Sequence, residues 1–264
     1  AWSSQLKSSK KMLLTLEKKL LELPQGGTAV GSGINAHKQF SRYFAQEMTK
    51  LLGNKIKCVK SENFYHELSA QDCSVQLSGE LKNLSVILMK ISNDLRWMNS
   101  GPLAGLSEIE LKALQPGSSI MPGKVNPVIP EAVAMASADV IGNDVTITVA
   151  AQSGNFQLNV MLPVIAYNLL KSINLLSGAM NALSKNAISS FKVNNKNLEV
   201  SLSKNPILVT ALNPIIGYEK AALIAKKAYK ENRPIIDVAA EETEISKLKL
   251  SKLLDPSKLA NGGM

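Results

Sequence analysis

The residues with the clearest chemical potential lie together in one polar segment, residues 115–127. It presents two adjacent hydroxyl groups, Ser118 and Ser119, a cation at Lys124 and a carboxamide at Asn126. Three prolines and two glycines among its thirteen residues exclude a continuous helix, because proline lacks a backbone donor and glycine permits positive φ. Free backbone N–H groups beside a lysine favour a bound anion. The segment is therefore predicted to be a loop that holds a carboxylate or a phosphate, the alternative being an ordinary solvated connector.

An acidic side chain follows this loop closely. Pro130 and Glu131 are expected in the first turn of the next helix, because proline is favoured at the first helical position and acids are favoured near the helix N-terminus. The N–H groups that open such a helix would add further donors for an anion. The loop and the helix start are thus predicted to form one anion-binding feature.

Long amphipathic helices are predicted to position the loop, because apolar residues recur at steps of three, four and seven. The predicted helices cover residues 3–23, 35–52, 64–98, 131–151 and 155–185. Residues 145–149 alternate enough to pass for a strand, but the helical spacing continues through them. Two helices carry apolar seams, formed by Leu77, Leu81, Leu84, Leu88, Ile91, Leu95 and Met98 and by Leu162, Ile165, Leu169, Ile173, Leu176, Met180 and Leu183.

This pattern predicts an all-α protein built as a bundle of long helices with a small helical C-terminal domain. The bundle is assigned to residues 1–188 and is expected to be incomplete at its N-terminal side, because the sequence opens inside a helical pattern and without methionine. From residue 189 the segments become short and are broken by Asn-Pro pairs. Residues 189–264 are therefore assigned to the second domain.

Composition narrows the classes of partner. The net charge is +9, but the lysines are spread along the chain without interleaved aromatic residues, which favours a solvated surface over a nucleic-acid interface. No apolar run approaches the roughly 20 residues that span a bilayer, and no leader pattern opens the sequence, so neither membrane insertion nor secretion is expected.

Cys58 and Cys73 are expected to be free thiols. No cluster has metal-ligand spacing, and neither a metal nor an organic cofactor is expected.

The order of residues 117–127, Gly-Ser-Ser-Ile-Met-Pro-Gly-Lys-Val-Asn-Pro, resembles the signature loop of the fumarase/aspartase superfamily. Members of that superfamily eliminate water, ammonia or an amine from succinyl compounds and release fumarate. The resemblance continues at residues 26–35, 143–144, 153–160 and 210–218, and so covers essentially the whole chain. Within the superfamily it is closest to class II fumarase, because aspartate ammonia-lyases usually carry alanine where Pro116 and Gly123 stand.

The resemblance implies a role for each polar residue of the loop. Ser118 would be the base that removes the carbon-bound proton of malate. Ser119, Lys124 and Asn126 would bind substrate, with Val125 contributing its backbone. Glu131 matches a glutamate that is paired in the family with a histidine acting on the leaving hydroxyl. A serine can act as a base only where N–H groups and positive charge hold its deprotonated form, which the loop composition allows.

One part of the family site has no counterpart in this sequence. The two histidines, His37 and His66, match no family motif and are expected on helix surfaces as structural or solvated groups. The family is a homotetramer whose active sites combine segments of three subunits, so the resemblance implies that this chain supplies the mobile loop and needs a further N-terminal part. The isolated chain is expected to be inactive.

The resemblance implies reversible hydration of fumarate to L-malate, a reaction of the tricarboxylic acid cycle, in the cytoplasm or, in a eukaryote, the mitochondrial matrix. Two alternatives stay open at this point. The chain could belong to an aspartate ammonia-lyase or another lyase of the superfamily. It could also be a non-catalytic helical module for oligomerisation that retains the loop as a connector.

Overall fold

The structure is a computed structural model that describes residues 1–115, 117, 120–121 and 123–262. The chain forms two compact units. The first comprises Ala1–Trp97 and Leu111–Phe191, and the second comprises Met98–Glu110 and Lys192–Met264.

Long helices dominate the first unit, as the spacing of apolar residues predicts. In chain order it contains α1 (Trp2–Leu20), β1 (Glu22–Leu23), α2 (Phe40–Leu51), β2 (Val59–Lys60), α3 (Phe64–Ser69), α4 (Asp72–Met98), α5 (Val128–Gln152) and α6 (Leu162–Leu183). A π-helical turn at Ser184–Ile188 follows α6. The two short strands β1 and β2 pair in parallel. The predicted all-α class is confirmed, and residues 145–149 are helical rather than extended.

The predicted seam of α4 is confirmed. Leu77, Leu81, Leu84, Leu88, Ile91 and Leu95 are all buried, whereas the last member, Met98, is half-buried. The helix begins later than predicted because Ala70 adopts an extended conformation, with φ −107° and ψ 152°, and so separates α4 from the short helix α3.

The predicted seam of α6 is only partly correct. Ile165, Leu176 and Leu183 are buried, but Leu162, Ile173 and Met180 are exposed. Polar Asn168 and Ser172 occupy the buried face instead. The helix is apolar on more than one face, so the spacing of its apolar residues does not determine which face packs inward. It also starts at Leu162 rather than residue 155, after a turn in which Asn155 and Leu158 form an isolated bridge.

Helix α5 corrects the expectation that no segment reaches the length and apolar character of a membrane-crossing helix. Among the described residues it is the one helix that meets both criteria, which by itself is weak evidence for a membrane span. It also carries Glu131, Asp139 and Asp144. Asp144 is buried and hydrogen-bonded to another helix, as in the core helix of a bundle.

The second unit begins with a short ladder and continues as small helices. Strand β3 (Ile109–Glu110) pairs antiparallel with β4 (Lys192–Val193), which places residues 98–110 in this unit although the sequence assigned them to the bundle. The predicted boundary between residues 188 and 189 lies three residues before the transition between Phe191 and Lys192.

The helices of the second unit surround a core of their own. They are α7 (Asn195–Ser203), a 3-10 helix at Pro206–Leu212, α8 (Asn213–Ile216), α9 (Tyr218–Glu231), α10 (Ile235–Glu242), α11 (Lys247–Leu253) and α12 (Pro256–Ala260). Leu212, Ile224, Val238 and Leu250 are fully buried and belong to one apolar cluster. Side chains cap several of these short helices, as Ser246 does for α11 by accepting a bond from the N–H of Lys249.

Candidate active site

The loop before α5 is closed on itself by a glycine. A Cβ atom built on Gly117 would lie 1.5 Å from the carbonyl oxygen of Lys124 and 2.6 Å from its carbonyl carbon. Real Cβ atoms essentially never approach other atoms closer than 3.0 Å, so glycine is required for this approach of the two backbones. The residue that precedes Ser118 in sequence is therefore held against the backbone of Lys124.

A local turn precedes α5 at Lys124. The N–H of Lys124 donates to the carbonyl oxygen of Met121 at 3.2 Å, and Gly123 has a φ of +81°, in the left-handed region that favours glycine. The side chain of Ile120 is 86% exposed.

The predicted site residues fall into two groups. Ser118 and Ser119 lie outside the described residues. Lys124 and Val125 are exposed, and Asn126 is half-buried. Within the described part of the chain, the side chains of Lys124 and Asn126 have no hydrogen-bonding or ion-pairing partner. Among the described residues, therefore, a cation and a carboxamide at the C-terminal end of the loop are uncommitted.

Helix α5 begins directly after Asn126 and Pro127. The N–H of Val128 donates to the carbonyl oxygen of Asn126 at 2.9 Å, and the N–H of Glu131 donates to that of Pro127 at 3.1 Å. The helix begins three residues before the predicted Glu131, so Pro130 is its third residue rather than its first. Proline is tolerated there because the first four N–H groups of a helix have no partner within the helix. Glu131 is half-buried in the first turn.

Sequence reasoning did not assign a role to the buried polar residues of α5. Asp144 accepts hydrogen bonds from Ser78 Oγ at 2.7 Å and from Lys82 Nζ at 2.6 Å, both on α4. Asn143 donates through Nδ2 to Ser172 Oγ on α6 at 3.1 Å. The available signal was an adjacent amide and carboxylate inside a helix that is otherwise strongly apolar.

The two histidines lie away from the loop in sequence and are solvated as expected. His37 lies in a turn before α2 rather than on a helix, and its Nδ1 accepts a bond from the N–H of Gln39 at 3.2 Å. His66 lies on α3, with Nε2 2.9 Å from Asp72 Oδ2 and Nδ1 3.1 Å from Glu67 Oε1. The hydrogen bond with Asp72, followed by the interactions with Glu67, raises the pKa of His66 above 6.5.

A cavity of about 570 Å³ is lined in part by His66, Glu67 and Asp72. Its wall includes Cys73, a free thiol whose pKa is raised by burial and by the nearby Glu67 carboxylate. A raised pKa keeps the thiol protonated and unreactive. Cys58 is also a free thiol and is buried. Within residues 1–115, 117, 120–121 and 123–262, no three His, Cys, Asp or Glu side chains are placed to hold a metal ion.

Comparison with protein families gives two matches. The family model described as "Lyase" matches residues 1–142, and the model described as "Fumarase C C-terminus" matches residues 208–261. The first match includes α4, the loop and the start of α5.

Similar proteins cover the chain along its whole length. A fumarate hydratase class II of Pseudomonas aeruginosa is 59% identical over 263 residues, which is 100% of this chain and 57% of that protein. A fumarate hydratase class II of Bacillus subtilis is 44% identical over 258 residues, 98% of this chain and 55% of that protein. The chain therefore spans a little over half the length of these relatives.

Solved structures share the fold. The class II fumarase of Schistosoma mansoni superposes with a TM-score of 0.92 at 32% identity, covering 98% of this chain and 57% of that one. The fumarate lyase:delta crystallin of Brucella melitensis also gives 0.92, at 39% identity, covering 98% and 56%.

Proposed function

The chain belongs to the lyase family whose model matches its first 142 residues, and on that premise we propose that it is the C-terminal part of a class II fumarate hydratase. It would supply the signature loop to an enzyme that hydrates fumarate to L-malate and reverses that reaction. The single observation that carries the proposal is the close approach of Gly117 to the backbone of Lys124, two residues that flank Ser118 and Ser119 in the sequence.

The chemistry requires stabilisation of negative charge. Removing the proton next to a carboxylate of malate builds up charge on that carboxylate in the transition state. Lys124, the Asn126 amide and the loop N–H groups would be fixed donors for it, and single donors in comparable oxyanion sites contribute about 3–4 kcal/mol. The exposed side chain of Lys124 is uncommitted within the described residues, as a substrate-binding cation requires.

The proton and the hydroxyl leave by separate routes. Ser118, as alkoxide, would accept the carbon-bound proton, while Ser119 and the backbone of Val125 bind the substrate. The leaving hydroxyl takes a proton through Glu131 and a histidine supplied by another segment. Glu131 sits in the first turn of α5, directly continuous with Asn126 and Pro127. The loop and the acid would therefore move as one piece relative to a bound dicarboxylate.

The proposal extends to the assembly. The complete enzyme would be a homotetramer with active sites shared between subunits, working in the tricarboxylic acid cycle in the cytoplasm or the mitochondrial matrix. The isolated chain would be inactive. Exposed apolar side chains on α5, such as Met135 at 70% and Val145 at 60%, support burial against other polypeptides.

A hybrid protein tests the function. The segment of the Pseudomonas aeruginosa relative that precedes the matched region is fused to this chain, and fumarate consumption is followed by its ultraviolet absorbance. We expect hydration by the hybrid, none by the isolated chain, and a loss of about 100-fold or more in Ser118→Ala. Ser251→Ala, at an exposed position of α11, is the matched control and should remain fully active. Release of ammonia from aspartate without malate formation would instead assign the chain to the ammonia-lyases.

A further inference from the structure

We propose that Asn143 and Asp144 are positioning residues. They fix the axial position and the rotation of α5, and thereby hold Glu131 and the C-terminal end of the loop at the active site. The role of Glu131 in this proposal rests on the proposed function; the fixed register of α5 does not. Two neighbouring residues of one helix make buried polar contacts with two different helices.

The contacts of Asp144 join α5 to α4. The Asp144 side chain is only 6% exposed, and each of its carboxylate oxygens accepts one hydrogen bond, from Ser78 and from Lys82. Lys82 is 46% exposed, so its ammonium group reaches the carboxylate from the solvent edge. A buried carboxylate is tolerated only where hydrogen-bond donors reach it. Asp144 therefore restricts α5 to the axial position at which these two donors contact it.

The contact of Asn143 joins α5 to α6. Its amide donates to Ser172 Oγ, and Ser172 in turn donates to the carbonyl oxygen of Asn168 at 2.8 Å, so the amide has a fixed acceptor. Consecutive helical residues point about 100° apart. One contact towards α4 and one towards α6 therefore fix the rotation of α5 as well as its translation.

Apolar packing alone would not define this register. A slip of one turn would bring Val140 or Thr148 to the position of Asp144, and either side chain would leave Lys82 without a carboxylate. Such a slip would displace the N-terminus of α5 by about 5 Å along its axis. The apolar cluster formed by Ile147 and Ala150 of α5 with Ile165 of α6 does not distinguish registers by hydrogen bonding.

A second ion pair on α5 provides a control. Lys171 of α6 contacts Asp139 of α5 at 2.8 Å, but these side chains are 37% and 40% exposed. Asp139 is closer in sequence to Glu131 than Asp144 is. An effect that depended only on proximity to the site would therefore be larger for Lys171→Met than for Asp144→Leu.

The register is measured directly by pulsed electron paramagnetic resonance on the full chain, diluted with unlabelled chain. Spin labels replace the exposed Val86 on α4 and Val149 on α5, with Cys58 and Cys73 changed to alanine. We expect one narrow distance in the parent and a shifted or broadened distribution in Asp144→Leu. Asp144→Asn should keep the narrow distance, because its amide oxygen still accepts the Ser78 hydrogen bond.

The same variants are then assayed in the hybrid protein. We expect Asp144→Leu to lower kcat/KM about tenfold or more, since misplacement by 1 Å can cost up to about 100-fold. Asp144→Asn and Lys171→Met should stay within about threefold. If Asp144→Leu does not fold, both measurements are made on Ser172→Ala, which removes the acceptor of Asn143 together with the hydrogen bond from Ser172 to Asn168.

Two results would overturn the proposal. One is an unchanged narrow distance between the labels at positions 86 and 149 in Asp144→Leu, or in Ser172→Ala where that variant replaces it. The other is a shifted distance with unchanged kcat/KM, which would leave the contact without a positioning role. An inactive parent hybrid with the expected distance changes would refute the proposed function while the assigned register stands.

Discussion

Replacing Gly117 with alanine tests the closure of the loop. The new Cβ would begin 1.5 Å from the carbonyl oxygen of Lys124, so the two backbones must separate by about 1.5 Å to reach the shortest approach that real Cβ atoms show, 3.0 Å. Displacing a substrate-binding group by about 1 Å can cost about 100-fold in rate. We therefore expect kcat of the hybrid protein to fall about 100-fold in Gly117→Ala.

The fold should survive this change. Gly117 lies outside both apolar clusters described above, so the free energy of unfolding should change by less than about 1 kcal/mol, as measured by urea titration of circular dichroism. The matched control is Gly142→Ala in α5, where an added Cβ meets no atom within 4 Å. That variant should keep full activity and gain about 0.5–1 kcal/mol, because alanine is favoured over glycine inside a helix.

The reasoning would be refuted by a Gly117→Ala variant that retains more than half of the parent kcat. Equal losses of activity in both glycine variants would also contradict it, since only Gly117 faces a neighbouring backbone.

Three further predictions concern stability and protonation. Ile224→Ala should destabilise the second unit by about 2–5 kcal/mol in urea titration because Ile224 is fully buried, whereas the neighbouring Leu223→Ala, at an exposed position, should change it by less than about 0.5 kcal/mol. Lys82→Met should cost about 1–3 kcal/mol by leaving a buried carboxylate with one donor fewer, and measurements on an Asp144→Asn background should show a smaller loss. Asp72→Asn should lower the pKa of His66 in an NMR titration, because the Asp72 hydrogen bond is the largest cause of its elevation. The stability that protonated His66 contributes is fully present below pH 6.5 and is lost as the pH rises through the raised pKa. A pKa of His66 that is unchanged by Asp72→Asn would contradict the assigned contact.

The sequence predicted those features that depend on local pattern. The seven-residue spacing in α4 identified its buried face, because only one face of that helix is continuously apolar. Proline and glycine identified the loop between α4 and α5, and the acid after Pro130 lies in the first turn of the helix.

Features that depend on tertiary contact were not predictable in the same way. Helix α6 has apolar residues on several faces, and its inward face is the one that carries Ser172 opposite Asn143. The approach of Gly117 to Lys124 involves residues seven apart in an irregular loop, for which no periodicity exists. Ile109 and Glu110 pair with a strand more than 80 positions later, so the place of residues 98–110 in the second unit could not be predicted from local composition.

Deuterium incorporation at C3 of malate, formed when the hybrid protein hydrates fumarate in D₂O, tests the central claim most directly. Proton transfer at carbon is the step assigned to Ser118, and positioned acid–base groups contribute about 100-fold to 10,000-fold in rate. Proton NMR should detect monodeuterated malate with the parent and a rate lower by at least about 100-fold with Ser118→Ala, at unchanged thermal stability. Incorporation by that variant at the parent rate would contradict the account.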